Sequence, residues 1–119
     1  MNFTQDLIKA KEFIDQKNYK NALDILMEVL DEDPDNPGAL FLFGNICIAQ
    51  DKRGLAYNVY RRCAALQPEE AAVWVNYGRC QEDSKEGWEV SMDCFKRALA
   101  INPKPVSYTH LTLPTIYSV

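Results

Sequence analysis

Three prolines set the ruler for this chain: Pro34, Pro68 and Pro103 stand 34 and 35 residues apart. A constant stride of that length is the signature of a repeat architecture, in which each unit is one supersecondary element. Aligning on the prolines brings other positions into register. Leu40-x-x-Phe43-Gly44-x-x-Cys47 falls over Trp74-x-x-Tyr77-Gly78-x-x-Gln81. Ala22-x-x-x-Leu26-x-x-Val29 falls over Ala56-x-x-x-Tyr60-x-x-Cys63 and Ser91-x-x-x-Phe95-x-x-Ala98. The front half of the first unit is degenerate, keeping Ala10 and Phe13 where the second has Gly44 and Cys47. One extra residue in the third unit fits most simply into Asp83–Gly87.

Within each unit the apolar residues follow a helical period. Leu23, Leu26, Val29 and Leu30 form one stripe, and Val59, Tyr60, Cys63 and Leu66 another. Glycine inside a helix costs about 1 kcal/mol relative to alanine. Gly44 and Gly78 therefore mark close helix approach, as do Ala10, Ala22, Ala56 and Ser91. Asn36-Pro37 reads as an N-cap before a first-turn proline, and Glu69-Glu70 place acids at the positive end of a helix dipole. These signals predict helices near 3–16, 20–32, 37–50, 54–67, 71–83 and 88–101. The turns expected between helices of a unit are Gln16–Asn18, Asp51–Gly54 and Ser84–Gly87.

On these residues the chain resembles the tetratricopeptide repeat family, whose pattern is Trp-x2-Leu-Gly-x2-Tyr, then Ala-x3-Phe-x2-Ala, then Pro. The resemblance covers roughly residues 3 to 104. It implies an all-α fold, an α-solenoid of three antiparallel helix–turn–helix repeats at about 3–36, 37–70 and 71–104, stacked as a right-handed superhelix. It also implies a concave groove, lined by the first helix of each unit, that holds an extended peptide or a partner protein. By position that wall would show Leu7, Lys11 and Asp15, then Phe41, Asn45 and Ala49, then Val75, Asn76, Arg79 and Asp83. The candidates for peptide contact are Lys11, Phe41, Asn45, Asn76 and Arg79. Asn offers one donor and one acceptor face to a peptide backbone, and Arg can fork onto a carboxylate; solvated groove residues are the plain alternative. Members of the family that grip chaperone tails use a Lys/Asn/Arg carboxylate clamp. At those positions stand Leu7, Lys11, Leu42, Ala72 and Asn76, without the third unit's basic pair, so chaperone-tail binding is not expected.

Composition narrows the remaining options. Net charge is −4 with basic residues scattered among acids, unlike the basic stripe that nucleic acid requires. Asp31-Glu32-Asp33 precedes a proline and reads as a solvated turn. Cys47, Cys63, Cys80 and Cys94 lack metal-type spacing, each within an apolar helical pattern, and read as buried thiols in a reducing compartment. No apolar run reaches the ~20 residues of a membrane span, and the N-terminus lacks a secretory layout. A cytoplasmic address is expected, with no membrane partner. No phosphate loop or nucleophile motif is present, and acidic pairs such as Glu69/Glu70 sit at caps. Neither catalytic residues, nor a cofactor, nor a metal is expected. Trp74 and Trp88 read as core residues.

The last fourteen residues stand apart. Every Lys, Arg, Asp and Glu precedes Pro105, and 106–119 are rich in Thr, Tyr and Val without helical period. The string Val106-Ser107-Tyr108-Thr109-His110-Leu111-Thr112-Leu113-Pro114-Thr115 resembles the translation of a transposase-based sequencing-library adapter. On that reading residues 106–119 are a non-native tail, the single histidine lies outside the natural part, and the natural protein continues past Lys104. A β-hairpin-like tail and a disordered terminus are the alternatives. The functional expectation is a protein-interaction scaffold. Its rival is the N-terminal scaffold of a larger enzyme, such as a glycosyltransferase or other transferase, and a structural segment of a longer solenoid is a third reading.

Overall fold

The structure is a computed structural model that describes residues 2–80 and 85–102. Within them run α1 (Thr4–Asp15), α2 (Tyr19–Glu32), α3 (Pro37–Ala49), α4 (Arg53–Leu66), α5 (Ala71–Arg79) and α6 (Lys85–Ile101). Consecutive helices pack pairwise, α1 on α2, α3 on α4 and α5 on α6, and each pair docks on the next. One pair cannot cover its own apolar face, so stacking builds the core.

The small residues explain how closely the pairs approach. Gly44 faces Tyr60 so tightly that an added Cβ would lie 2.8 Å from two atoms of its ring. Gly78 stands in the same relation to Cys94 and Phe95, at 3.1 Å. Ala10, Ala22 and Ala56 are fully buried. Ser91 adds a tether, its hydroxyl donating to the Gly78 carbonyl at 3.0 Å. The repeated small–large pairing is thus a contact between the two helices of each unit.

Helix ends repeat as well. Asn36 Oδ1 accepts from Ala39 N–H at 2.9 Å, capping α3 ahead of Pro37. After α1, Lys17 takes a left-handed conformation (φ 61°), and Asp51 does the same after α3 (φ 60°). Asn18 N–H bonds to the Phe13 carbonyl and Lys17 N–H to Ile14, while Lys52 bonds to Cys47 and Asp51 to Ile48. Each set is a Schellman closure, a turn that usually recruits glycine.

α3 is the innermost helix. Apart from Asn45 it is apolar around its circumference, with Gly38 to Leu42 and Gly44 to Cys47 buried, because α1, α2 and α4 all pack against it. The main core draws on α1 to α4 and reaches into α5 through Val73 and Cys80. A smaller cluster of Ala71, Val75 and Ala98, flanked by Trp74 and Phe95, joins α5 to α6.

The observed helices differ from expectation mainly in the third unit. α6 begins at Lys85, so Lys85–Gly87 are helical and not part of a turn. Lys85 and Glu86 are good helix formers, and their propensity outweighs the signal of a single glycine. The stretch expected to complete α5, 81–83, and the tail 106–119 lie outside the described residues. Leu66, placed on an apolar stripe by its spacing, is 37% exposed at the last turn of α4. Val90, Met92, Leu99 and Ile101 leave apolar surface on α6.

Candidate functional site

The first helices of the second and third units meet at a polar node. Asn45 Oδ1 on α3 accepts from the Tyr60 hydroxyl on α4 and from Asn76 Nδ2 on α5, the latter at 3.2 Å. Asn45 and Asn76 are only 3% and 6% exposed. The asparagines expected to face a ligand therefore join three helices. One donor is left over: Asn45 Nδ2 is buried with no hydrogen-bond partner, an arrangement that costs about 1–3 kcal/mol if nothing answers it. Burial also drives the Tyr60 hydroxyl well above its ordinary pKa, which keeps it protonated as the donor.

Phe41 requires a correction. Its side chain is 1% exposed and meets the Tyr60 ring edge-on, with centroids 5.9 Å apart. It is a core residue, because α3 is enclosed by neighbours on the side that position would offer to a ligand. Lys11 is partly exposed and reaches Asp15 one turn away at 2.8 Å, so two of the wall positions neutralise each other. Arg79, at the last turn of α5, is exposed and makes no salt bridge with any described carboxylate. Leu7 and Val75 are buried, Ala49 is exposed, and Asp83 lies outside the described residues.

A second set of side chains, absent from the sequence-derived wall, gathers on α4, α5 and α6. Trp74 is partly buried and donates from Nε1 to the Pro68 carbonyl at 2.8 Å. Its ring and that of Tyr77 lie 6.0 Å apart, and Tyr57 continues the series 5.2 Å from Tyr77. Arg97 sits 5.0 Å above Trp74, and Arg61 sits 6.0 Å from the Tyr57 ring. The core role expected of Trp74 is thus only half of its placement. The Trp88 side chain lies outside the described residues.

The four cysteines are free and buried. Burial pushes Cys63 and Cys80 up to about 12 and raises Cys47 and Cys94 as well. Such thiols are poor nucleophiles and poor metal ligands near neutrality. Among the described residues no cluster of His, Cys, Asp and Glu is arranged to hold a metal ion. Nor is any described helix long and apolar enough to cross a membrane.

These observations define an α-solenoid of antiparallel helix pairs with polar and basic groups on its first-helix faces. The family model described as tetratricopeptide repeat matches residues 13–54, across the junction of the first two units. Among solved structures the chain is similar to MamA, at 20% identity and a TM-score of 0.72, over 86% of this chain and 60% of that one. It is also similar to the first tetratricopeptide repeat domain of Spaghetti (RPAP3) bound to the HSP90 peptide SRMEEVD. That match has 18% identity and a TM-score of 0.72, over 89% of this chain and 86% of the other. The chain thus spans about three fifths of the length of MamA. No curated protein sequence matches it.

Proposed function

We propose that this chain is a non-catalytic scaffold that holds a peptide segment of a partner protein against the first-helix face of its second and third units. The supporting observation is the Asn45–Asn76 pair beside Arg79: among the described residues, a buried donor without an acceptor next to a cation without a carboxylate. A backbone carbonyl of a bound segment would satisfy Asn45 Nδ2 after a small side-chain shift, and Arg79 would take a side-chain or terminal carboxylate. The Spaghetti domain, bound to a peptide, lends the mode of binding. Its peptide is not the expected ligand, because Leu7 and Leu42 occupy clamp positions and are buried. Four free buried thiols suit a reducing, cytoplasmic address.

A selection of displayed random peptides against the folded chain tests this reading. Selected peptides should lose about tenfold or more in affinity towards Arg79→Glu, a loss of roughly 1.4 kcal/mol or more. If no competing set of selected peptides responds to Arg79→Glu, the reading is overturned.

A further inference from the structure

The outer side of the second and third units carries an open groove of about 520 Å³ between α4 and α6, floored by α5. Its existence follows from a comparison within the chain. Ala64 and Ala65 line it, where the preceding unit has Leu30 and Asp31 at the same repeat positions. Two side chains have become methyl groups, and the space between successive second helices stays open. Trp74 and Tyr77 supply an aromatic wall.

The basic residues changed partners in the same step. In the second unit Arg62 makes an ion pair with Asp35. The third-unit counterparts are Arg97 and Glu69, yet no ion pair joins them. Arg97 instead lies over Trp74, and Arg61, at the groove's opposite wall, leans on Tyr57. A guanidinium stacked on a ring keeps its planar N–H edge directed away from that ring, ready for a carboxylate. Neither arginine meets a carboxylate within salt-bridge distance among the described residues. Both stand on a chain whose net charge is −4. Among the described residues Asp93 is the single acid on the groove's lining, and it sets a limit on how many carboxylates the groove accepts.

We propose that this outer groove is a second docking site, separate from the first-helix face, for an acidic peptide segment that places an apolar side chain between two carboxylates. The apolar side chain rests on Ala64 and Ala65 against Trp74, and the flanking carboxylates meet Arg61 and Arg97. Charge complementarity selects the occupant: the floor takes any small apolar group, but two stacked guanidiniums on an acidic protein favour an anionic partner.

The test uses the full chain and a fluorescein-labelled peptide, Gly-Ser-Asp-Glu-Leu-Glu-Asp-Ser-Gly, followed by fluorescence anisotropy. Its amide counterpart, Gly-Ser-Asn-Gln-Leu-Gln-Asn-Ser-Gly, is the control. Saturable binding of the acidic peptide is expected, weakened about tenfold or more by Arg61→Glu and by Arg97→Glu, and untouched by Arg79→Glu. Ala65→Asp, which restores the residue of the preceding unit at an exposed position, should weaken it as well. Because Arg61, Ala65 and Arg97 are exposed, circular dichroism should show the variants as helical as the parent. Equal binding of the amide peptide, loss through Arg79→Glu alone, or no saturation by about 1 mM would each overturn the proposal. So would sedimentation showing that Arg97→Glu dissolves a self-associated form, since the occupant would then be a second copy of this chain.

Discussion

Gly44 and Tyr60 show how one atom sets the spacing of two helices. Alanine at position 44 would gain about 1 kcal/mol of helix propensity. Its Cβ would also press on a fully buried ring that has no room to turn. Overpacking of that kind costs about 1–3 kcal/mol, so Gly44→Ala should be destabilising by urea denaturation. Gly78→Ala should cost less, because the contact is 3.1 Å and Phe95 is only partly buried. A stabilising Gly44→Ala would mean that the close approach is not what selects glycine. The buried thiols give a pH signature. Cys63 ionises near 9 once exposed but near 12 in the fold, so the unfolded chain binds fewer protons than the native one between those limits. Its contribution is whole below pH 9 and falls as pH rises, by about 1.4 kcal/mol per unit. Cys80 shifts in the same direction. Denaturation midpoints should therefore drop from pH 7.5 to pH 10.5; unchanged midpoints would show the thiolates forming within the native core.

At the scale of the element, the turn inside each of the first two units is closed by a residue that pays a steric penalty. A non-glycine residue in the left-handed region costs roughly 1–2 kcal/mol, less for Asp than for Lys. Lys17→Gly should therefore raise the melting temperature by a few degrees, with Asp51→Gly giving the smaller gain. If both lower it, the side chains carry contacts that outweigh the strain. The turns themselves were expected at Gln16–Asn18 and Asp51–Gly54, but their left-handed closure was not, since neither Lys17 nor Asp51 is the glycine that advertises it. The helices themselves were legible, because proline stride, small-residue register and apolar period all agreed. The candidate site was less so. Asn45 and Asn76 were placed by position along a helix, which gives a direction but not depth. The missing clue was Tyr60: its hydroxyl, in an otherwise apolar register, needs a polar partner inside. Arg61 and Arg97 escaped notice because a stacked guanidinium has no sequence pattern, and the groove they flank depends on two alanines that look like ordinary helix filling.

Across the whole molecule the apolar core is uneven. The main cluster runs from Leu7 on α1 to Cys80 just after α5, whereas the cluster joining α5 to α6 has three buried members among the described residues. Opening free energy follows local burial, so amide exchange should be slowest in α3 and faster in α6. Equal protection in the two helices would indicate a single cooperative unit. The inner burial of α3 has a further consequence. A helix wrapped on every side cannot be the part that yields when a partner arrives, so adjustment falls to the outermost pair. Both candidate docking surfaces draw residues from that pair: Asn76 and Arg79 on one side, Trp74 and Arg97 on the other. A guest on either side would therefore stiffen the same pair, and each would sense the other's arrival through it.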